Sequence, residues 1–73
     1  MRIRFEDQSQ QCVVQINEEG VAPLVGDKIC MNVHGNIKYY DVVERIFKYD
    51  VLVDATNAVV NDWHLFVTIK LSE

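Results

Sequence analysis

The stretch LFVTIKL, residues 65–71, alternates aliphatic side chains with other side chains without interruption. Every odd-numbered residue in it is aliphatic, and the even-numbered residues are Phe66, Thr68 and Lys70. A period of two places successive side chains on opposite faces, as in a strand with one buried face. The stretch therefore predicts a β-strand whose odd-numbered side chains, through Leu71, lie in the core.

The same alternation recurs towards the N-terminus. Ile3 and Phe5 alternate with arginines, and two further strands are predicted around Cys12–Ile16 and Lys28–Val33. The polar segment Glu6–Gln10 separates the first two and predicts a chain reversal. Gly35–Asn36 follows the third and predicts a two-residue hairpin turn of type II′, because glycine suits its first central position.

The return strand of this hairpin, predicted over Ile37–Tyr49, changes phase along its length. Tyr40 and Val42 have even numbers, whereas Val43 and Phe47 have odd numbers, with Glu44 and Arg45 between them. A β-bulge near Val43–Arg45 reconciles the two halves and bends the strand. Such a bend allows a small sheet to curl towards a barrel.

Two segments keep alternatives open. Asp41–Lys48 could be helical, although its β-branched residues are poor helix formers. Val51–Val53 fits a strand followed by a turn and a second strand, yet Asp54 also fits as the N-cap of one helical turn. We predict one mainly β domain over residues 1–73: a curled antiparallel sheet or SH3-like barrel of five or six strands, with a short helical turn near 54–61 as the alternative.

A loose motif covers the middle of the chain: Pro-x-Val-Gly-Asp, a short aliphatic strand, a tight turn, Tyr-x-Val, and a later aromatic residue. The matching residues are Pro23, Val25, Gly26, Asp27, Ile29, Tyr40, Val42 and Phe47. Over residues 23–47 the chain resembles small, uncharacterised SH3-like β-barrel proteins of bacterial phages and mobile gene cassettes. The resemblance implies a compact curled barrel, and it implies no catalytic residues.

The charge balance disfavours nucleic acid and anionic membranes as partners. The formal net charge is −4, with 7 basic residues scattered among 11 acidic ones, whereas binding to phosphates needs several cations on one face. The N-terminus, MRIRFEDQSQ, carries charges where a signal peptide has an apolar run. We therefore expect a cytoplasmic protein in which Cys12 and Cys30 remain thiols.

Enzymatic and metal chemistry have weak support in the sequence. The potential zinc ligands are Cys12, Cys30, His34 and His64, and only Cys30 and His34 are closely spaced. On an extended strand at about 3.3 Å per residue, that spacing separates them by more than a zinc ion can bridge. No phosphate-binding loop, nucleophile motif or zinc-binding helix motif occurs. We predict no enzyme activity, no metal and no cofactor.

Several large apolar residues remain outside the predicted core: Val13, Tyr39, Tyr49, Trp63 and Phe66. By alternation Val13, Tyr39 and Phe66 face outward, and Tyr49 and Trp63 are predicted at strand ends. They could be covered by segment 50–62, pack on another protein, or stack on bases. Because Tyr, Trp and Phe are enriched in interface cores, we predict a non-enzymatic, self-associating protein-interaction module with these five as partner-binding residues. A nucleic-acid-binding small β-barrel is the alternative, and it requires at least four cations beside Tyr39 or Trp63.

Overall fold

The computed structural model describes residues 2–17 and 22–72 and contains only strands, turns and loops in these ranges. The strands are β1 (Arg2–Glu6), β2 (Cys12–Asn17), β3 (Lys28–Val33), β4 (Asn36–Val53) and β5 (Ala58–Leu71). The mainly β prediction is confirmed, and the helical alternatives over 41–48 and 54–61 are wrong. Accordingly, none of the described residues belongs to a helix that could cross a membrane.

The five strands form one sheet in the order β2-β1-β5-β4-β3, which curls into a half-barrel. Neighbouring strands are antiparallel except β1 and β5, which run parallel. The sheet is therefore mixed, and the prediction of a wholly antiparallel sheet is wrong at this pair. Alternation in a sequence gives the faces of a strand but not the direction of its neighbour, so the parallel pair had no signal there.

The buried core lies on the concave face of the half-barrel and comes from the three central strands. Cross-strand neighbours Ile3–Leu65, Phe5–Val67 and Val42–Ile69 make up this core. Leu71, predicted to be buried with them, is 55% exposed. The reason is that β1 ends opposite Thr68, so no part of β1 lies beside the last residues of β5.

The turn between β3 and β4 differs from the predicted one. Val33 pairs with Asn36, which leaves His34 and Gly35 as the central residues, with φ angles of 52° and 83°. Two positive φ angles define a type I′ turn rather than type II′. The side-chain oxygen of Asn32 accepts a hydrogen bond from the Gly35 N–H at 2.9 Å. The hairpin prediction is confirmed, but its turn begins one residue earlier.

The bulge predicted in β4 is confirmed. Val42 pairs with Ile69 and Glu44 pairs with Thr68, so Val43 is the extra residue. One extra residue exchanges the faces of everything that follows. Before the bulge the even-numbered residues of β4 face the concave side, and after it the odd-numbered ones do.

Beyond the core, β4 and β5 continue as a two-stranded ribbon, which we call the distal hairpin (residues 50–61). Val51 pairs with Val60 and Val53 with Ala58, while Asn61 is the extra residue of a second bulge. Among the described strands, β1 pairs with β5 only from His64 onward, and β3 pairs with β4 no further than Asp41. Neither strand of the ribbon therefore has a second neighbour. The ribbon contributes to the elongated shape of the molecule, which measures 51 × 21 × 21 Å.

Candidate interaction surface

The distal hairpin exposes an unusual amount of apolar surface. Its exposed aliphatic side chains are Val51, Leu52, Val53, Val59 and Val60, each between 50% and 78% exposed. A two-stranded ribbon with both faces open has nothing to pack these side chains against, and such ribbons are marginally stable in water. Contiguous apolar patches of this kind mark interaction sites in folded proteins.

The tip of the distal hairpin is held by Asp54. Its carboxylate accepts hydrogen bonds from the N–H groups of Thr56 and Asn57, both at 2.8 Å, and from the Thr56 hydroxyl at 3.0 Å. These donors stabilise the charged form, so the pKa of Asp54 lies below its usual value of 3.8. The ribbon therefore ends in a turn of defined shape.

An aromatic cluster, consisting of Phe47, Tyr49 and Trp63, lies at the base of the distal hairpin on the concave face. The ring centroids of Phe47 and Tyr49 are 6.5 Å apart, and each is 6.3 Å from the Trp63 ring. The guanidinium carbon of Arg45 lies 5.0 Å from the centre of the Phe47 ring, close enough for a cation–π contact. Phe47 and Tyr49 are 44% and 54% exposed. The aromatic cluster is therefore an exposed apolar surface that lies between the buried core and the distal hairpin.

The concave face also contains an open cavity of about 760 Å³ between the two edge strands β2 and β3. Its lining is mainly apolar and includes Phe5, Val14, Ile29, Met31 and Tyr40. The half-barrel is open here because β2 and β3 do not pair with each other. The cavity is thus a second apolar surface, separate from the distal hairpin.

The convex face carries charges of both signs. Its cations are Arg2, Arg4, Lys28, Lys48 and Lys70, and its carboxylates are Glu6, Asp41, Glu44, Asp50 and Asp62. Tyr39 lies on the same face. A nucleic-acid interface was expected to need at least four cations beside Tyr39 or Trp63, and this face has that number. The equal number of carboxylates leaves the face without a net positive charge.

Most of these cations form ion pairs with neighbouring carboxylates. Arg2 pairs with Asp62, Arg4 Nε lies 2.8 Å from Glu6, and Lys28 Nζ lies 2.9 Å from Asp41. The hydrogen bond from Lys28 lowers the pKa of Asp41 below its usual value. Lys48 Nζ lies 3.8 Å from Asp50 on the same strand. Cations with carboxylate neighbours attract phosphate weakly.

The predicted partner-binding residues fall in separate places. Tyr49 and Trp63 belong to the aromatic cluster, and both lie within strands rather than at strand ends as predicted. Val13 is the extra residue of a bulge in β2 and lines the cavity. Tyr39 is exposed on the convex face, and Phe66 lies there half-buried between Arg4 and Ile46.

The prediction missed Phe47 and the aliphatic side chains of the distal hairpin. Their signal was present as two apolar runs, Val51–Val53 and Ala58–Val60, on either side of a turn. In the structure, none of the other described strands pairs with this ribbon, which leaves it exposed.

The potential metal ligands are also dispersed. Cys12 on β2 and Cys30 on β3 are exposed free thiols at opposite edges of the sheet. His64 Nε2 lies 3.5 Å from Asp62 Oδ2, without hydrogen-bond geometry. Within residues 2–17 and 22–72, no three His, Cys, Asp or Glu side chains are grouped to hold a metal ion.

Comparisons of the chain with protein-family models, with curated proteins and with solved structures found no match. The resemblance of residues 23–47 to SH3-like barrel proteins stays a prediction.

Proposed function

We propose that the chain is a non-enzymatic protein-interaction module that associates with further copies of itself. The observation that carries the proposal is the distal hairpin, whose aliphatic side chains are at least half exposed. Removing apolar surface from water is favourable by roughly 25 cal/mol per Å². A partner that covers the ribbon and the adjacent aromatic cluster therefore gains binding free energy from surface that one copy leaves in water.

A second copy is the partner that this chain needs most. Among the residues that the structure describes, the buried core consists of six side chains, and domains of this size are only marginally stable alone. A copy of the same chain presents the same apolar ribbon and aromatic cluster, so each copy can cover the other around a two-fold axis. Association then adds to the stability of both copies by mass action.

Nucleic-acid binding is the alternative function, and the cations gathered on the convex face favour it. Their carboxylate neighbours and the net charge of −4 count against it. Our proposal includes a cytoplasmic location, where the exposed thiols of Cys12 and Cys30 stay reduced, and an origin among phage or mobile-cassette proteins, as the resemblance implies.

Light scattering of the purified chain tests the proposal. We expect a mass of at least two chains for the wild type, and a shift towards one chain when Val51→Ser and Val60→Ser are combined. The matched control combines Leu24→Ser and Val25→Ser, because these loop side chains are similarly exposed at 54% and 59% but lie outside the hairpin. Far-UV circular dichroism checks that both variants keep the fold.

A wild-type chain that stays monomeric at every concentration contradicts the proposal. Equal loss of association in the hairpin variant and the loop control contradicts the assignment of the surface. A labelled single strand that binds with a steep salt dependence supports the nucleic-acid alternative instead.

A further inference from the structure

We infer that two copies join edge to edge through β4, antiparallel, with Tyr49 on the two-fold axis. This inference rests on the proposed self-association and specifies its geometry. The surface involved is the outer edge of β4, meaning the side of residues 43–53 that faces away from β5. In the part of the chain that the structure describes, β3 pairs with residues 36–41 of β4 and does not extend beyond Asp41.

The backbone of this edge is arranged for pairing. The Val42 N–H donates to the Asp27 carbonyl at 2.9 Å, and the Val42 carbonyl accepts from the Gly26 N–H at 3.0 Å, so the polar groups of Val42 point outward. Alternation and the extra residue at Val43 then direct the N–H and C=O groups of the odd-numbered residues outward from Arg45 to Val53. Unpaired groups in such a row are a template for another strand.

Symmetry restricts how two such edges can meet. Antiparallel strands related by a two-fold axis have the axis perpendicular to the sheet, so both concave faces lie on the same side. Facing residues must then come from the same face of each copy, which after the bulge means that their numbers have the same parity. Only registers centred on a residue satisfy this condition.

The charges select one of these registers. Centring on Lys48 or Asp50 places like charges opposite each other, and centring on Phe47 places Glu44 opposite Asp50 of the second copy. Centring on Tyr49 instead places Lys48 opposite Asp50, twice by symmetry, and the carboxylates of Glu44 and Asp54, which would also face each other, lie beyond the paired residues 45–53. Facing opposite charges stabilise a pair of strands, and facing like charges destabilise it.

The apolar residues agree with the same register. Phe47 faces Val51 of the second copy on the concave side, and Ile46 faces Leu52 on the convex side. Tyr49 faces Tyr49 of the second copy, which joins the two aromatic clusters into one. Centres at Ile46 or Val51 also pair opposite charges, but they shorten the paired segment and leave more of the exposed aliphatic side chains uncovered.

A second copy would also offset a repulsion between two carboxylates in the single chain. Asp50 lies directly opposite Asp62 on β5, and facing carboxylates repel each other. Arg2 pairs with Asp62, whereas Asp50 has Lys48 at 3.8 Å. A second lysine, Lys48 of the other copy, would approach Asp50 from the open edge and offset this repulsion.

Charge reversal tests the register. Lys48→Glu alone makes both facing pairs repulsive, and so does Asp50→Lys alone, so each variant should dissociate with a Kd raised about tenfold or more. In an equimolar mixture of the two variants, the introduced glutamate faces the introduced lysine and the unchanged Asp50 faces the unchanged Lys48. We therefore expect the mixture to associate near the wild-type affinity. Both side chains are more than half exposed, so circular dichroism should find the variants folded.

Sedimentation equilibrium of each variant and of the mixture measures these affinities. If the mixture associates no more tightly than its components, the register is wrong even where the wild type is a dimer. If the wild type is a monomer, the proposed function fails together with the inference. The two failures are therefore distinguishable.

Disulfide trapping tests the position of the axis in a background with Cys12→Ser and Cys30→Ser. Facing Cα atoms in a hydrogen-bonded antiparallel pair are about 5.5 Å apart, which a disulfide can span. Tyr49→Cys should give a covalent dimer on mild oxidation. Ile46→Cys is the matched control, with 52% exposure against 54% for Tyr49, and it should give no covalent dimer because it faces Leu52 of the second copy. Equal trapping at both positions overturns the inference.

Discussion

At the scale of single residues, His34 and Gly35 illustrate what the sequence could and could not predict. Glycine beside a polar residue between two apolar runs indicated a hairpin, and the hairpin is present. The turn type was predicted wrongly because Gly35 fits the first central position of a type II′ turn and also the second of a type I′ turn. The pairing of Val33 with Asn36 decides between them, and that pairing depends on strand register.

Gly35→Ala should lower the free energy of unfolding by roughly 1–2 kcal/mol, because an L side chain disfavours the left-handed conformation. Gly35 has a φ of 83°, and a Cβ there would meet no atom within 4 Å, so the cost is conformational rather than steric. His34→Asn is the control, since asparagine tolerates this conformation, and it should be neutral or stabilising. Urea unfolding measures both. Equal stability of Gly35→Ala and the wild type would contradict the type I′ assignment.

At the scale of elements, strand alternation predicted most of the sheet. The phase change between Tyr40 and Phe47 placed a bulge near Val43–Arg45, because a buried face must stay buried on both sides of an inserted residue, and the structure has it at Val43. The distal hairpin was only one of two alternatives. Val51–Val53 and Ala58–Val60 have too few residues for the period to separate a strand from a helical turn, and the side-chain bonds of Asp54 fit both.

The Asp54 turn predicts a pH effect confined to the hairpin tip. Because hydrogen bonds lower the pKa of Asp54 in the folded chain, its contribution to stability is present above its usual pKa. That contribution is lost as the pH falls through the lowered value. In NMR titrations the amide shifts of Thr56 and Asn57 should change with a midpoint below 3.8.

Asp54→Asn is the matched control for this titration. It keeps a side-chain oxygen acceptor and removes the titrating group, so the Thr56 and Asn57 amides should stop responding to acid. A midpoint at or above 3.8 in the wild type would mean that the carboxylate does not hold the turn.

At the scale of the whole molecule, the sequence predicted a surplus of apolar residues but not their arrangement. Tyr39 and Tyr49 have odd numbers, yet the bulge between them places them on opposite faces. Phe66 lies on the outer, convex face as predicted, where it is half-buried with Arg4 and Ile46 opposite it on the neighbouring strands. The order of the strands decides which surfaces stay open, and that order depends on long-range pairing such as the parallel contact of β1 with β5.

The open edge of β4 had no signal in the sequence, because it depends on how the strands are arranged in the whole molecule. An edge is defined by which strand fails to extend beside it, here β3, which pairs with β4 no further than Asp41. Once the edge is known, the order of charges and apolar residues along it becomes informative. Lys48, Tyr49 and Asp50 then form a self-complementary centre.

Amide hydrogen exchange at different protein concentrations tests the central claim, that a second copy covers the outer edge of β4. The N–H groups of Phe47, Tyr49 and Val51 point outward in a single chain and should exchange slowly at high concentration and fast on dilution. The Ile46 N–H points towards β5 and should be protected throughout, as an internal control. Outward amides that exchange equally fast at every concentration would contradict the account.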